Sequence, residues 1–156
     1  ADPDARETFR TNATQYLDEI DARDKKLTAC SSKVPEGDRK VMAGHNDFAY
    51  LADAYGFQIA AQVASDGESE PSASELQEAV DDARASGVNA VIASKGEVTS
   101  LEQQVAEKLN VPLLALYADN LTTGDDASTL LGAIAYDVDR IADAVTSGSV
   151  RCPAND

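Results

Sequence analysis

The spacing of apolar residues divides the chain into one long helix followed by alternating strands and helices. Residues 4–29 carry a single apolar stripe at helical spacing with charged residues between its members, which predicts a long helix. The members of the stripe are Phe9, Ala13, Tyr16, Leu17, Ile20 and Leu27. Residues 30–39 contain Ser, Pro and Gly and are typical of a loop.

Four apolar runs after this loop predict strands, at residues 40–44, 57–63, 88–93 and 111–116. Asn46 or Asp47 is the expected N-cap of the helix after the first strand, and Gly56 is its expected C-terminal stop. The buried face of that helix is expected to comprise Phe48, Leu51, Ala52 and Tyr55.

The three remaining helices are also predicted from their start and end signals and from their apolar spacing. Ser72 and Glu75 form a capping box that opens a helix after an acidic loop at 65–71, and Gly87 ends that helix. A further helix is predicted over 98–109. The last helix follows a polar loop at 119–126, and its inward residues are expected to be Leu131, Ile134, Val138, Ile141 and Val145.

The resulting order is one helix followed by four strand–helix units. Short βα cycles predict a parallel sheet, and the nearly continuous apolar runs 88–93 and 111–116 indicate strands that are covered on both faces. We therefore predict an α/β fold with three layers: a four-stranded parallel sheet with helices on both faces, preceded by a long connecting helix.

Composition narrows the classes of partner. The 156 residues carry 28 acidic and 13 basic side chains, a formal net charge of −15, which argues against nucleic acid and anionic membranes as partners. With 43% hydrophobic residues the chain can bury a core, so it is not a disordered sequence. No secretory signal peptide opens the given sequence, which fits either a cytoplasmic protein or a chain that starts downstream of its true N-terminus.

The two cysteines, Cys30 and Cys152, match no zinc-binding spacing. They are either two free thiols or a disulfide between the loop after the first helix and the tail after the last helix. Their position in loop-like sequence outside any apolar run favours the disulfide, and with it an oxidising compartment.

Candidate chemistry lies at the carboxyl ends of the strands, because open parallel sheets bind ligands there. His45, the single histidine, follows the first strand, and Asp119 follows the fourth. Although the two are far apart in sequence, the topology places both at one edge of the sheet. An imidazole and a carboxylate are two ligands of a transition-metal site, and further ligands must come from elsewhere because zinc generally takes three or four.

Three other interpretations of this edge remain open. Ser94, His45 and Asp119 could form a nucleophilic triad, although the chain has no nucleophile elbow. Ser94, Lys95 and Gly96 could begin a phosphate cradle ahead of the helix at 98–109. Asp125 and Asp126 could extend an acidic pocket.

Several segments resemble one family in order along nearly the whole chain. Residues 44–51 (GHNDFAYL) with 55–57 (YGF), residues 70–76 (EPSASEL), residues 116–121 (LYADNL) and residues 136–141 (YDVDRI) resemble successive motifs of the cluster A-I solute-binding proteins of ABC importers, which are specific for zinc and manganese. Residues 1–5 (ADPDA) resemble the start of that family's long interlobe helix.

The resemblance implies a metal receptor built from two lobes with the metal between them. His45 matches the third ligand of the family and Asp119 the fourth, and a histidine at the third position leans toward zinc over manganese. Residues 1–29 would be the interlobe helix and 30–156 the carboxy-terminal lobe. The amino-terminal lobe, which supplies two histidines, is absent from the given sequence, so metal binding by this lobe alone is expected to be weak or absent.

The resemblance also implies partners and a location. We expect the missing amino-terminal lobe and the membrane subunits of an ABC importer as partners, an extracytoplasmic lipoprotein or periplasmic protein as the full-length form, and self-association of the isolated lobe. The expected function is binding, not enzymatic catalysis. The alternatives are a metal-independent adhesin or docking domain, and an enzyme acting on a small phosphate or acyl substrate.

Overall fold

A computed structural model of the chain describes residues 4–62, 72–124 and 127–152. The strands within this part are β1 (Lys40–Ala43), β2 (Gln58–Gln62), β3 (Ala90–Ser94) and β4 (Leu113–Leu116). The α-helices are α1 (Arg6–Ser31), α2 (Ala49–Tyr55), α3 (Ala73–Ser86), α4 (Ser100–Leu109) and α5 (Leu130–Val145). Short 3-10 turns at Glu36–Asp38 and Asn46–Phe48 come before and after β1.

The four strands form one parallel sheet in the order β2-β1-β3-β4. Apolar side chains from one face of the sheet pack with α1, α2 and α5, and those from the other face pack with α3 and α4. All five residues of β3 are buried because both faces of this strand are covered. The predicted three-layer α/β fold with a long first helix is confirmed.

The order of the strands reverses between β1 and β3. From β1 the chain moves outward to β2, then returns across β1 to β3 and continues to β4. The carboxyl ends of β1 and β3 therefore border the topological switch point, where parallel sheets open a crevice for ligands.

Two helices begin with capping boxes. Glu75 N–H donates to the Ser72 hydroxyl and Ser72 N–H donates to the Glu75 carboxylate, which lowers the pKa of Glu75 below its usual range. The predicted box is thus confirmed, as is the left-handed Gly87 after α3. Thr99 and Glu102 form a second box, which places the start of α4 at Ser100, two residues beyond the predicted start.

The predicted side-chain cap of the helix after β1 is wrong. Neither Asn46 nor Asp47 caps it; both lie in the 3-10 turn that leads into α2. Their side chains contact neighbouring strands instead: the Asn46 amide oxygen accepts from Gln62, and the Asp47 carboxylate accepts from Ser94. The α2 face is buried as predicted at Phe48, Ala52 and Tyr55, whereas Leu51 is half-buried, and Gly56 ends the helix in the left-handed conformation.

Helix α1 uses only the C-terminal end of its apolar stripe for packing within the described chain. Leu27 is 2% exposed, whereas Phe9 and Leu17 are 56% and 60% exposed, and Tyr16 is also exposed. The helix starts two residues later than predicted and ends two residues later, so Cys30 lies in its last turn and not in the following loop.

A disulfide joins Cys30 to Cys152, as the loop-like positions of the two cysteines favoured. The tail at Cys152 is also held by α5, because Asp139 accepts the Cys152 N–H at 2.6 Å and binds the Arg151 guanidinium through both carboxylate oxygens. The end of α1 is therefore joined covalently to the tail after α5, and that tail is held to α5 through Asp139.

Some predictions fall outside the described residues: strand residue Val63, the acidic loop at 65–71, and Asp125 and Asp126. Among the helices of the described ranges, none combines the length and the apolar character that crossing a lipid bilayer requires.

Candidate functional site

His45 and Asp119 both lie at the carboxyl edge of the sheet, and both are exposed. His45 comes two residues after the end of β1, and Asp119 comes three residues after the end of β4. Only β3 separates β1 from β4, so the two strand ends are about 10 Å apart at the usual spacing of strands. The two turns therefore leave the same edge of the sheet, on either side of β3.

The turn that carries His45 is held from two sides. The Ser94 hydroxyl, at the end of β3, donates to the Asp47 carboxylate at 2.9 Å. On the other side, the Gln62 amide at the end of β2 lies 3.4 Å from the Asn46 side-chain oxygen. Both contacts fall within two residues of His45, so the ends of both neighbouring strands restrain the path of this turn.

The Glu102 side chain packs against the backbone just before the same turn. Its side chain is 1% exposed, and its Oε2 accepts hydrogen bonds from the backbone N–H and the hydroxyl of Thr99. Its Oε1 lies against Gly44, where an added Cβ would be 1.5 Å from this oxygen. Glycine at position 44 is thus required by the close approach of a buried carboxylate to the residue before His45.

Tyr117 anchors the turn that carries Asp119 through three contacts. Its backbone N–H donates to Asp137 Oδ1 at 3.0 Å, and its hydroxyl accepts a hydrogen bond from the Lys95 ammonium. Its ring packs edge-on against Tyr136, with the ring centroids 5.1 Å apart. Since Tyr117 precedes Asp119 by two residues, these contacts define where the Asp119 turn begins.

Asp137 is an unusual residue for the inner face of a helix. It is 1% exposed, and burial raises the pKa of its carboxyl group to about 7, although the Tyr117 N–H and the Lys95 charge both act to lower it. Moving a carboxylate out of water favours its neutral form unless charges and hydrogen bonds compensate, and here they compensate only in part.

Two neighbouring cavities meet at Asp119. The smaller, of about 200 Å³, lies over the ends of β3 and β4 and is lined by Lys95, Glu97 and Asn120 among others. The larger, of about 480 Å³, lies between α2 and α5 and includes Asp47 and Asp137. Three exposed apolar side chains also line the larger cavity: Tyr50, Leu121 and Leu130.

The arrangement disfavours two of the three other interpretations of this edge, the nucleophilic triad and the phosphate cradle. The Ser94 hydroxyl donates to Asp47 and not to an imidazole, so the triad of Ser94, His45 and Asp119 is not assembled. The N-terminus of α4 is occupied by the carboxylate of Glu102, which would repel a phosphate from the cradle proposed at Ser94, Lys95 and Gly96.

Within residues 4–62, 72–124 and 127–152, no three or more His, Cys, Asp or Glu side chains are grouped so that they could hold a metal ion. His45 and Asp119 are thus a pair of donors on one edge, with an imidazole nitrogen and a carboxylate oxygen to offer. Such a pair matches the ligand chemistry of zinc and manganese and needs further ligands to complete a coordination sphere.

The sequence analysis assigns no individual role to Glu102 or Asp137, although each residue has a recognisable sequence signal. Thr99 and Glu102 have the spacing of a capping box. Asp137 lies three residues after Ile134 and next to Val138, so it interrupts the apolar stripe of the last helix with a carboxylate.

Comparison with known proteins agrees with this architecture. Over 144 residues, or 91% of the chain, the sequence is 22% identical to the metal ABC transporter substrate-binding lipoprotein SsaB of Streptococcus sanguinis. The match covers 47% of SsaB, so the chain spans about half the length of this relative.

Solved structures share the fold. A Mn-bound mutant of a periplasmic metal binding protein from Candidatus Liberibacter asiaticus has a TM-score of 0.72 at 23% identity. The periplasmic zinc binding protein TroA from Treponema pallidum has a TM-score of 0.71 at 22% identity. Each alignment covers 92% of this chain and 54% of the other, so this likeness establishes the fold over about half of those structures.

The family model for ZnuA, described as zinc-uptake complex component A, periplasmic, matches residues 1–144. This family consists of solute-binding proteins and not of enzymes. The chain belongs to the ZnuA family.

Proposed function

We propose that this chain is the carboxy-terminal, metal-binding lobe of an extracytoplasmic receptor that carries zinc or manganese to an ABC importer. The observation that supports it most directly is the placement of His45 and Asp119 on one edge of the sheet, at the ends of strands separated only by β3. In this proposal the metal is cargo, and these two residues are two of its ligands.

The proposal assigns the other ligands to a second lobe. The chain spans 47% of SsaB and 54% of the solved structures, and two donors are too few for a closed zinc site. The exposed apolar stripe of α1 supports the same assignment, because Phe9, Tyr16 and Leu17 pack on nothing that buries them in the described chain. We propose that residues 1–29 connect the lobes, and that this stripe lies against the amino-terminal lobe.

Zinc is the preferred cargo in this proposal. An imidazole at position 45 suits zinc better than manganese, which prefers oxygen donors. The disulfide between Cys30 and Cys152 fits an oxidising compartment outside the cytoplasm, as do the words periplasmic and lipoprotein in the names of similar proteins. The membrane subunits of an ABC importer are the proposed recipients of the metal.

The test is calorimetric titration of Zn²⁺ and Mn²⁺ into a protein that contains both lobes. His45→Ala and Asp119→Ala are each expected to weaken binding at least about tenfold, because each removes a direct ligand. Asp53→Ala is the matched control, since Asp53 is exposed on α2 and the substitution changes the charge equally. Unchanged affinity in both ligand variants would refute the assignment.

The isolated chain provides a second measurement. One lobe is expected to bind Zn²⁺ far more weakly than the two-lobed protein, and its exposed apolar surfaces are expected to drive self-association, which sedimentation velocity can detect. Tight zinc binding by the lobe alone would contradict the shared site. Equal affinity for zinc and manganese in the complete receptor would contradict the preference for zinc.

A further inference from the structure

We propose that Asp137 is a positioning residue for metal binding: its buried carboxylate holds the backbone of the turn that presents Asp119. This inference rests on the proposed function, because it takes Asp119 to be a ligand. It adds a residue on α5 that is not itself a proposed ligand and that acts through the backbone N–H of Tyr117.

The reason lies in the geometry of an edge strand. β4 has β3 on one side and no described strand on the other. The Leu116 carbonyl accepts the Lys95 N–H, so it points toward β3. In a trans peptide the following N–H, that of Tyr117, points the opposite way, toward the open edge of the sheet. Asp137 supplies the acceptor that a further strand would otherwise provide.

Asp137 is itself held in place by the packing of α5 against the sheet. Asp137 is the eighth residue of α5, and the nearby residues Ala135 and Val138 are fully buried in the core against the sheet. A carboxylate fixed in this way has little freedom to follow the turn, so it restricts the turn to one path. The ring of Tyr136 against that of Tyr117 restricts the same residue from the adjacent position on α5.

The buried carboxyl group itself supports a specific role. An apolar residue at 137 would extend the inward stripe of α5, whereas a buried carboxyl group carries a cost of desolvation. The Tyr117 N–H and the charge of Lys95 offset part of that cost. Both of these partners lie at the edge of the sheet that carries Asp119, so Asp137 interacts with the part of the molecule that presents Asp119.

The experiment measures Mn²⁺ and Zn²⁺ affinity in the two-lobed protein for Asp137→Ala, Asp137→Asn and Asp119→Asn. Loss of the acceptor in Asp137→Ala is expected to weaken binding by about tenfold or more, as changes behind a metal ligand typically do. Asp137→Asn keeps an oxygen acceptor and is expected to retain affinity within about threefold. Val145→Ala, a buried change at the far end of α5, controls for general destabilisation and is expected to leave affinity unchanged.

Hydrogen exchange of the Tyr117 amide supplies a measurement that needs no variant. The amide is expected to exchange slowly in the unmodified protein, and exchange at the rate of an unprotected loop amide would overturn the proposal. The proposal is also overturned if Asp119→Asn weakens binding while Asp137→Ala does not. If Asp119→Asn itself leaves binding intact, the proposed ligand assignment fails first, and the two failures are thereby distinguished.

Discussion

Asp137 makes the stability of the fold depend on pH in the direction opposite to that of an ion-paired aspartate. Its pKa rises from 3.8 to about 7 on folding, chiefly because it is buried. Well below pH 3.8 the group is neutral in both states. As the pH rises toward 7 the unfolded chain loses its proton first, so the native state loses about 4 kcal/mol of stability over this interval.

Asp137→Asn is expected to remove this pH dependence, because an amide does not titrate. In urea unfolding at several values from pH 4 to pH 8, the wild-type protein is expected to lose stability relative to the variant as the pH rises. A difference between the two free energies of unfolding that stays constant across this range would contradict the raised pKa.

Gly44 is a position at which one neighbouring group, the Glu102 carboxylate, leaves no room for a side chain. Gly44→Ala places a Cβ where Glu102 Oε1 now lies, so the buried carboxylate or the turn before His45 must move. The expected cost is about 1–3 kcal/mol in the free energy of unfolding, measured by urea denaturation. Gly37→Ala is the matched control, because it meets no atom within 4 Å and is expected to change stability by less than about 0.5 kcal/mol.

At the scale of elements, α1 offers a direct comparison within one helix. Leu27 is 2% exposed and Leu17 is 60% exposed, so the same substitution to alanine removes core contacts at one position and surface contacts at the other. Leu27→Ala is expected to lower the free energy of unfolding by about 2–5 kcal/mol, and Leu17→Ala by less than about 0.5 kcal/mol. Chemical denaturation of the isolated chain measures both.

The pair of substitutions at Leu17 and Leu27 also tests the proposed contact between α1 and a second lobe. In a two-lobed protein, Leu17→Ala is expected to become destabilising, since the proposed contact would bury this part of α1. Equal effects at Leu17 and Leu27 in the isolated chain would mean that the N-terminal half of α1 already packs on the described lobe.

At the scale of the whole molecule, the disulfide is the one covalent link between the end of α1 and the tail after α5. It closes a separation of 122 residues, so it removes much conformational freedom from the unfolded chain. Replacing Cys30 and Cys152 with serine is expected to cost about 2–4 kcal/mol of stability, measured by guanidinium denaturation. Adding reductant is expected to destabilise the wild-type protein to a similar extent and to leave the double variant unchanged.

The succession of elements, and therefore the class of the fold, can be predicted from local patterns in the sequence. Alternating apolar runs and helical patterns depend on local periodicity, and the capping box at Ser72 and the stop at Gly87 are local as well. The position of Cys30 and Cys152 outside apolar runs favours the disulfide. His45 and Asp119 could be chosen because parallel strands bring their carboxyl ends to one edge, and their role as ligands stays a prediction.

Which of these groups have partners, and which are buried, depends on contacts between elements that are distant in the sequence. Asp47 accepts a hydrogen bond from Ser94 and does not cap α2, because β3 lies beside β1 in the sheet. The placement of Glu102 under Gly44 and of Asp137 behind Tyr117 likewise joins residues from different elements. The exposure of Phe9 and Leu17 on α1 follows the same rule: periodicity indicates that a face is apolar, but what covers that face depends on the rest of the molecule.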